Sequence, residues 1–326
     1  MLRHDSAPVA HSSSLQPVWP ANSPALLLVN PSAGAGKALR AIPRLREFAL
    51  RHDPALQIEL TDSAEDLAAK AKAAAQLGFR QILVLGGDGT FQVLLNALLG
   101  IPGLTLGIVP AGGGNDLAST LGLPSDPVAA LALLREGFAR PLDAVRVMFA
   151  DGTIKFYCGG GGVGLDAEAS RFATGTFQKF PGRSRYFFSV ICALWRFQPI
   201  AVHAVLNGSV QMDASLLLLA VLNTPSYGAG LQLAPQAQLD DGQLDLVCLE
   251  ELNLWEILLL LPALAGWGEL NSSRIRRYRI TRVRIETGSP RAFHGDAEIL
   301  GCTPLEIEVL PNAVRVLCPK QISNPI

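Results

Sequence analysis

The stretch Gln81-Ile82-Leu83-Val84-Leu85-Gly86-Gly87-Asp88-Gly89-Thr90 decides the fold class of this chain. Its first half is an apolar run of the kind found in a buried strand of a parallel sheet. The glycines lead directly into a second apolar run, 91–99, which suits a buried helix. A strand, a glycine turn and a helix start expose backbone N–H groups where the helix also favours negative charge. The stretch therefore predicts a phosphate-binding turn.

Asp88 inside this turn narrows the choice of ligand. A carboxylate repels phosphate unless a cation lies between the two, so the turn favours a magnesium–nucleotide over a bare phosphate. The alternative interpretation is a tight strand-to-helix turn in which Asp88 only caps the helix.

Two more glycine loops follow strand-like runs. Asn30-Pro31-Ser32-Ala33-Gly34-Ala35-Gly36-Lys37 comes after the apolar run 25–29, and Pro110-Ala111-Gly112-Gly113-Gly114-Asn115-Asp116 comes after 105–109. The first loop fails as a Walker A motif, because Pro31 replaces the first glycine and Ala38 replaces the magnesium-binding hydroxyl. Strands that alternate with helices predict a parallel sheet, whose ligands bind at the carboxyl ends of the strands. Three unrelated turns are the weaker explanation.

Composition excludes several classes of protein. At 326 residues, with 49% hydrophobic and 17% charged residues, the chain is long enough for two globular domains. A net charge of -1 argues against nucleic acid as a partner. The cysteines are scattered, without a CxxC pair, and predict buried free thiols in a reducing cytoplasm; they are Cys158, Cys192, Cys248, Cys302 and Cys318.

Neither the N-terminal segment nor the most apolar stretch of the chain predicts a membrane anchor. Residues 1–24 are rich in Ser, Pro and Ala and predict a loose tail. The most apolar stretch, 252–267, is too short to span a bilayer and contains Glu256 and Pro262. We therefore do not expect an integral membrane protein.

The second half of the chain has a different pattern. After Pro141-Leu142-Asp143, β-like runs dominate, including one over 278–285, with helical insertions expected at 183–195 and 254–265. The run 159–162 reads as a flexible glycine segment. Residues 162–167 fit the G-x-G-x-x-A dinucleotide pattern, but no βαβ unit surrounds them, so that pattern is set aside.

The order of these motifs resembles the diacylglycerol kinase catalytic-domain family, in its bacterial soluble lipid-kinase branch, which is similar to sphingosine kinases. The resemblance extends from about residue 25 to residue 319. It implies an α/β fold in two domains: a Rossmann-like nucleotide-binding domain, 25–142, and a β-rich, β-sandwich-like lipid-substrate domain, 143–311. A last strand, about 312–320, is expected to return to the first domain.

The resemblance also implies which residues contact ATP, Mg2+ and the reacting hydroxyl. Gly295-Asp296-Ala297-Glu298 is similar to the family's acidic pair, with Glu298 favoured as the proton acceptor and Asp296 in support. Two solvated carboxylates in a hairpin are the alternative. The implied nucleotide contacts are Asn30, Pro31, Ser32, Ala33, Gly34, Thr61, Gly86, Gly87, Asp88, Gly89, Thr90, Gly112, Gly113, Asn115 and Asp116. The implied metal residues are Asp241, Gln238 and Gln243 at a structural magnesium, together with Asp88 and Asp143.

Three positions depart from the family's pattern. Val93 holds a usually acidic position, Gly113 lacks the usual hydroxyl, and Ala297 replaces a glycine. Six acids nevertheless remain, so we expect an active enzyme; they are Asp88, Asp116, Asp143, Asp241, Asp296 and Glu298.

The function implied is transfer of the γ-phosphate of ATP to a hydroxyl of a diacylglycerol-like or sphingoid lipid. The alternatives are a small-molecule kinase of the NAD kinase type and a catalytically silent nucleotide or lipid sensor. The family implies a cytoplasmic enzyme in transient contact with a membrane, and a homodimer stays open. An arginine cluster over 274–284 fits either an anionic membrane surface or a charged strand face. Aromatic residues that could line an acyl-chain cleft are Phe172, Phe177, Phe180, Phe187, Phe188 and Trp255.

Overall fold

The computed structural model describes residues 19, 23–165, 198–228, 230–252, 272–296 and 298–320, together with residues 188, 189, 192, 255 and 256. Most of the two expected helical insertions therefore lies outside the described residues. The same holds for Ala297 and for Phe172, Phe177, Phe180 and Phe187.

The first part of the chain alternates parallel strands with helices. The strands are β1 (Ala25–Val29), β2 (Leu56–Leu60), β3 (Gln81–Gly86) and β4 (Thr105–Pro110), in the order β2-β1-β3-β4. The helices are α1 (Ala33–His52), α2 (Ala64–Gln76), α3 (Asp88–Leu98), α4 (Asp116–Thr120) and α5 (Pro127–Arg135). The apolar strands β1, β3 and β4 are buried along their whole length. Among the described residues, no helix is long and apolar enough to cross a bilayer.

The strand order creates one position where two chain directions diverge. The chain leaves β1 towards β2 on one side and leaves β3 towards β4 on the other. In open α/β sheets, ligands bind outside the carboxyl ends of the strands at such a switch point. The loops after β1 and β3 flank this position.

The second part is antiparallel. Its strands are β5 (Phe138–Phe149), β6 (Ile154–Tyr157), β7 (Gly160–Gly164), β8 (Ile200–Leu206), β9 (Val210–Leu222), β10 (Leu244–Glu250), β11 (Ile275–Ile280), β12 (Arg282–Thr287), β13 (Ala292–Gly295), β14 (Glu298–Cys302) and β15 (Leu305–Cys318). They enclose a second apolar core that includes Tyr157, Leu219 and Phe293. The predicted fold class, an α/β domain followed by a β-rich domain, is confirmed.

The last strand joins the two parts. The first half of β15 pairs antiparallel with β12 and β5, and Val316 near its end pairs parallel with Leu106 of β4. Between the halves lies a β-bulge, where the register with β5 shifts between Leu310 and Val314. The strand that was expected to return to the first domain corresponds to this second half of β15.

Two local predictions are wrong. The glycine segment 159–162 is not a flexible run, because Gly160–Gly164 form β7 between β9 and β13. A Cβ on Gly161 would lie 2.7 Å from the His294 carbonyl oxygen, and one on Gly164 would lie 2.4 Å from the Leu217 carbonyl oxygen, so packing against the neighbouring strands requires glycine at these two positions. The run 278–285 is also not one strand, since β11 and β12 pair with different neighbours.

Two predictions of exposure also need correction. Trp19, inside the predicted loose tail, is buried, and its backbone carbonyl accepts a hydrogen bond from Arg135. The Arg135 guanidinium lies 5.5 Å from the centroid of the indole ring and also pairs with buried Asp53. All five cysteines are free, but only Cys158, Cys248 and Cys318 are buried; Cys302 is exposed.

Candidate active site

The three glycine loops meet at the carboxyl edge of the parallel sheet. A Cβ on Gly34 would lie 2.0 Å from the carbonyl oxygen of Ala111, and one on Gly112 would lie 2.5 Å from the Cα of Gly87. Gly34 also has φ +59, a left-handed conformation that glycine adopts without strain. The loops can therefore pack backbone against backbone only because these positions lack side chains.

A cavity of about 340 Å³ opens beside these loops. Seven of the predicted site residues line it: Asn30, Pro31, Ser32, Thr61, Gly89, Thr90 and Glu298. Five further lining residues were not predicted as site residues: Asp62, Ser63, Ala64, Leu67 and Val93. Ser63 is the N-cap of α2, and its side chain accepts a hydrogen bond from the Asp66 N–H.

Hydrogen bonds between loops arrange the polar rim of this cavity. The Asn30 side chain donates to Thr90 Oγ1 at 3.1 Å and accepts from the backbone N–H and the hydroxyl of Ser32. The buried Thr61 hydroxyl donates to the Val29 carbonyl at 2.9 Å. The first loop, the end of β2 and the start of α3 are thereby fixed relative to one another.

The other predicted nucleotide residues lie in the loops next to this cavity without lining it. They are Ala33, Gly34, Gly86, Gly87, Asp88, Gly112, Gly113, Asn115 and Asp116. Within the third loop, the Asn115 side chain accepts from the Gly112 N–H at 2.9 Å and donates to the Gly112 carbonyl at 3.0 Å. Asn115 therefore shapes the loop from within.

Asp88 joins the second loop to the third. Its two carboxylate oxygens accept the backbone N–H groups of Asp116 and Leu117, each at 3.0 Å. Asp88 therefore does cap a helix, as the alternative interpretation predicted, but the capped helix is α4 and not α3. Burial raises the pKa of Asp88 to about 7, and the nearby carboxylates of Asp116 and Asp296 add to this rise. A cation beside Asp88 would relieve this repulsion.

Asp116 connects the site to the second part of the chain. Its Oδ1 accepts a hydrogen bond of 2.7 Å from the hydroxyl of Ser226, which follows β9 and is buried. No feature of the sequence singled out Ser226, because a lone serine in a loop carries no pattern.

Asp296 is held rigidly by the glycine segment before β7. Its Oδ2 accepts the Cys158 N–H at 2.9 Å, and its Oδ1 accepts the N–H groups of Gly159 and Gly160 at 2.9 and 3.1 Å. A Cβ on Gly159 would lie 2.8 Å from Oδ1, so this approach requires glycine. Burial nevertheless raises the pKa of Asp296 to about 6.

Glu298 is the exposed member of the acidic pair. Its Oε1 would lie 2.9 Å from a Cβ on Gly89, so the carboxylate lies against the start of α3. Desolvation raises the pKa of Glu298. Among the described residues, Glu298 has no hydrogen-bond or ion-pair partner.

The nucleotide site fits a magnesium–nucleotide, whereas the residues around Asp241 do not fit a structural magnesium. In the described part of the chain, no group of three His, Cys, Asp or Glu side chains could hold a metal by itself, so phosphate oxygens would have to complete a site at Asp88. Asp241 instead pairs with the Arg279 guanidinium. Asp143, like Asp88, accepts backbone N–H groups on both oxygens, and Gln238 and Gln243 are exposed, so the guanidinium at Asp241 is what distinguishes this segment.

The arginine cluster is largely paired within the protein. Arg274 and Arg276 form ion pairs with Glu250, Arg274 also with Glu256, and Arg284 with Glu286. These pairs support the charged strand face over a bare cationic surface.

The fold and the site together define a class of protein. A Rossmann-like sheet with three glycine loops faces an acidic pair that a β-rich part supplies, which is an arrangement suited to phosphoryl transfer from a nucleotide. The diacylglycerol kinase catalytic domain matches residues 24–147, and the YegS C-terminal NAD kinase beta sandwich-like domain matches residues 161–318.

Named relatives agree with these matches. The diacylglycerol kinase of Mycobacterium tuberculosis (strain ATCC 25618 / H37Rv) is 30% identical over 300 residues, which is 90% of this chain and 94% of that protein. The diacylglycerol kinase of Bacillus subtilis (strain 168) is 28% identical over 263 residues, 80% of this chain and 85% of that protein. The chain belongs to the diacylglycerol kinase catalytic-domain family, and is a lipid kinase of that family, as the sequence motifs predicted.

A solved structure shows the same fold. The crystal structure of a diacylglycerol kinase from Bacillus anthracis str. Sterne superposes with a TM-score of 0.67 at 22% sequence identity. The match covers 91% of this chain and 97% of that chain.

Proposed function

We propose that this chain transfers the γ-phosphoryl group of ATP, in a Mg2+-dependent reaction, to a hydroxyl group of a diacylglycerol-like or sphingoid lipid. The observation that supports this most is the position of Glu298. Its carboxylate lies against Gly89 at the start of α3, in the cavity that the first and second loops share. A proton acceptor thus lies beside the loops that would hold the phosphates.

Phosphoryl transfer requires positioning and charge neutralisation more than covalent chemistry. The N–H groups of the glycine loops and of the start of α3 would bind the phosphate oxygens. Asp88, whose pKa is raised by burial and by neighbouring acids, is the side chain best suited to face Mg2+. When bound, Mg2+ would neutralise the phosphate charge.

The two acids of the pair differ in what they are free to do. Asp296 accepts three backbone N–H groups, so most of its lone pairs are engaged and its orientation is fixed. Glu298 is exposed, and desolvation raises its pKa, which makes its carboxylate a stronger proton acceptor than an ordinary glutamate. We therefore assign proton removal from the acceptor hydroxyl to Glu298, with Asp296 as a positioning residue for the turn that carries it.

An apolar acceptor fits the exposed aromatic residues of the second part. Trp255 is 75% exposed and Phe188 is 41% exposed, which is unusual for residues of this size. Both lie in segments expected to contact the acyl chains. Peripheral contact with a membrane follows as part of the same proposal.

A nucleotide or lipid sensor is the second candidate. It is favoured by Val93, an apolar residue that lines the cavity where the family usually has an acid. The intact arrangement of Asp88, Asp296 and Glu298 favours the kinase over the sensor.

The test is transfer of labelled γ-phosphate from ATP and Mg2+ into detergent-dispersed lipids. The panel contains diacylglycerol, monoacylglycerol, phosphatidylglycerol, sphingosine and ceramide, with Asp88→Ala and Glu298→Ala as controls. We expect label in one lipid class and its loss in both variants. ATP binding without label in any lipid would contradict the proposal and favour the sensor.

A further inference from the structure

Four carboxylates cluster where the two parts of the chain join. Asp143 lies on β5, Asp240 and Asp241 lie in the turn before β10, and Asp245 lies on β10. The carboxylates of Asp240 and Asp241 repel that of Asp143, and the carboxylate of Asp241 repels that of Asp245. Like charges this close destabilise one another unless cations or hydrogen bonds compensate them.

Hydrogen bonds of Asp143 link the turn before β10 to the strands β5 and β15. Asp143 Oδ1 accepts the N–H of Asn312 at 2.8 Å, and its Oδ2 accepts the N–H of Gly242 at 2.7 Å. The Asp143 N–H donates to the Leu239 carbonyl at 2.7 Å. Asn312 lies in the bulge of β15, where that strand passes from the β-rich part towards β4. The turn before β10 is therefore tied to the strand that links the two parts.

Arginine side chains compensate the remaining acids. The Arg140 Nε donates to Asp240 Oδ2 at 2.8 Å. The Arg279 guanidinium donates to Asp241 Oδ2, and Asp245 lies opposite Arg279 in the pairing of β10 with β11. The other oxygen of Asp241 accepts the Gln243 N–H at 3.0 Å. Both carboxylate oxygens of Asp241 therefore accept hydrogen bonds.

We propose that Arg279 takes the place of a divalent cation at this junction, so that the turn before β10 is held without a bound metal. The resemblance of this segment to its family implies a structural magnesium at Asp241, and the contacts here differ from that expectation. Magnesium requires a near-octahedral shell of oxygen ligands. A guanidinium supplies fixed positive charge and hydrogen-bond donors to the same carboxylate.

The inference is independent of the proposed reaction, because it concerns the stability of the junction and not catalysis. It is tested by thermal unfolding of the full chain, without nucleotide, in EDTA and in MgCl2. The variant is Arg279→Gln. The matched control is Arg284→Gln, which removes an arginine from an ion pair on β12 that lies away from the acid cluster. All variants are made in an Asp88→Asn background, which removes the side chain best suited to face Mg2+ in the nucleotide site.

We expect the parent of these variants, which keeps Arg279, to have the same unfolding temperature in EDTA and in MgCl2. Arg279→Gln should unfold about 2–4 °C lower in EDTA than its parent, and should regain part of that loss in MgCl2. Arg284→Gln should show neither effect. The proposal is overturned if MgCl2 raises the unfolding temperature of this parent and the Asp241→Asn variant does not show that rise. It is also overturned if Arg279→Gln behaves like Arg284→Gln.

Discussion

The nucleotide cleft, meaning the cavity beside the glycine loops together with Asp88 and Asp296, and the domain junction around Asp143 and Asp241 both gather acidic side chains, but they differ in their basic partners. At the junction, Asp240 and Asp241 are paired with arginines, and Asp143 accepts two backbone N–H groups. In the cleft, Asp88, Asp296 and Glu298 have no ion pair with a basic side chain among the described residues. Burial raises the pKa of each of the three, as it also raises the pKa of Asp143 at the junction, so the contrast between the regions lies in the arginine partners.

The difference indicates what each region is built to do. A region whose charges are already compensated gains little from a metal and serves the stability of the fold. A region whose buried acids have no basic side chain beside them costs stability when empty, and recovers it when a cation arrives with its ligand. Substitutions in the cleft should therefore reduce activity, and substitutions at the junction should reduce stability.

The largest expected effect is on catalysis in the cleft. Glu298→Gln should lower the rate of phosphate transfer by about 10²–10⁴-fold, because the amide cannot accept the hydroxyl proton. Its unfolding temperature should stay close to that of the parent, since Glu298 is exposed. Glu306→Gln on β15 is the matched control and should retain activity. A comparable rate in Glu298→Gln would remove the proposed base.

The counterpart at the junction is Asp143→Asn. The amide offers one acceptor atom in place of two, so one of the N–H groups of Gly242 and Asn312 loses its partner in a buried place. This should cost about 1–3 kcal/mol in the free energy of unfolding, measured by urea denaturation. Transfer activity per folded molecule should change little. A loss of activity with unchanged stability would show that the junction belongs to the catalytic site.

The raised pKa of Asp88 predicts a pH-dependent stability. In the folded state this pKa is about 7, against 3.8 for the free side chain, so Asp88 favours folding below about pH 4 and loses that contribution as the pH rises through 7. Asp88→Asn does not titrate. In EDTA, the unfolding temperature of the variant relative to its parent should therefore be higher at pH 8 than at pH 5. Equal differences at the two pH values would show that burial and the neighbouring acids do not raise the pKa of Asp88 in the folded chain.

The smallest effect is expected at the hydrogen bond between Ser226 and Asp116. A net hydrogen bond is worth about 0.5–1.5 kcal/mol, so Ser226→Ala should lower the transfer rate by roughly 2–10-fold. Ser226→Thr keeps the hydroxyl and should retain more activity than Ser226→Ala. If both variants match the parent, the contact does not help to position Asp116.

The strands, loops and acidic pair of the site were predictable because each has a local pattern. Apolar runs of four or five residues identified β1, β3 and β4, and the glycines that follow them marked the loops. The motif order then fixed the two-domain fold class. These features depend on neighbours in sequence, so a single sequence reveals them.

The remaining contacts depend on residues far apart in the chain. Asp296 and the amides of Cys158–Gly160 that it accepts are more than 130 residues apart in the chain. The sequence gives no sign of these hydrogen bonds, so it predicts a flexible glycine run. The pairing of Asp241 with Arg279 is equally non-local, so the sequence suggested a metal where the fold brings an arginine. The burial of Trp19 had no pattern that predicts it.

The most direct test of the contrast between cleft and junction is equilibrium binding of ATP in the presence of Mg2+ and in EDTA. Because the acids of the cleft lack basic side-chain partners, we expect ATP to bind at least about tenfold more tightly with Mg2+, a difference of about 1.4 kcal/mol. Asp88→Asn should shrink this difference, whereas Arg279→Gln should leave it intact. Equal affinity with and without Mg2+ would contradict the account, because the acids beside the loops would then need no cation.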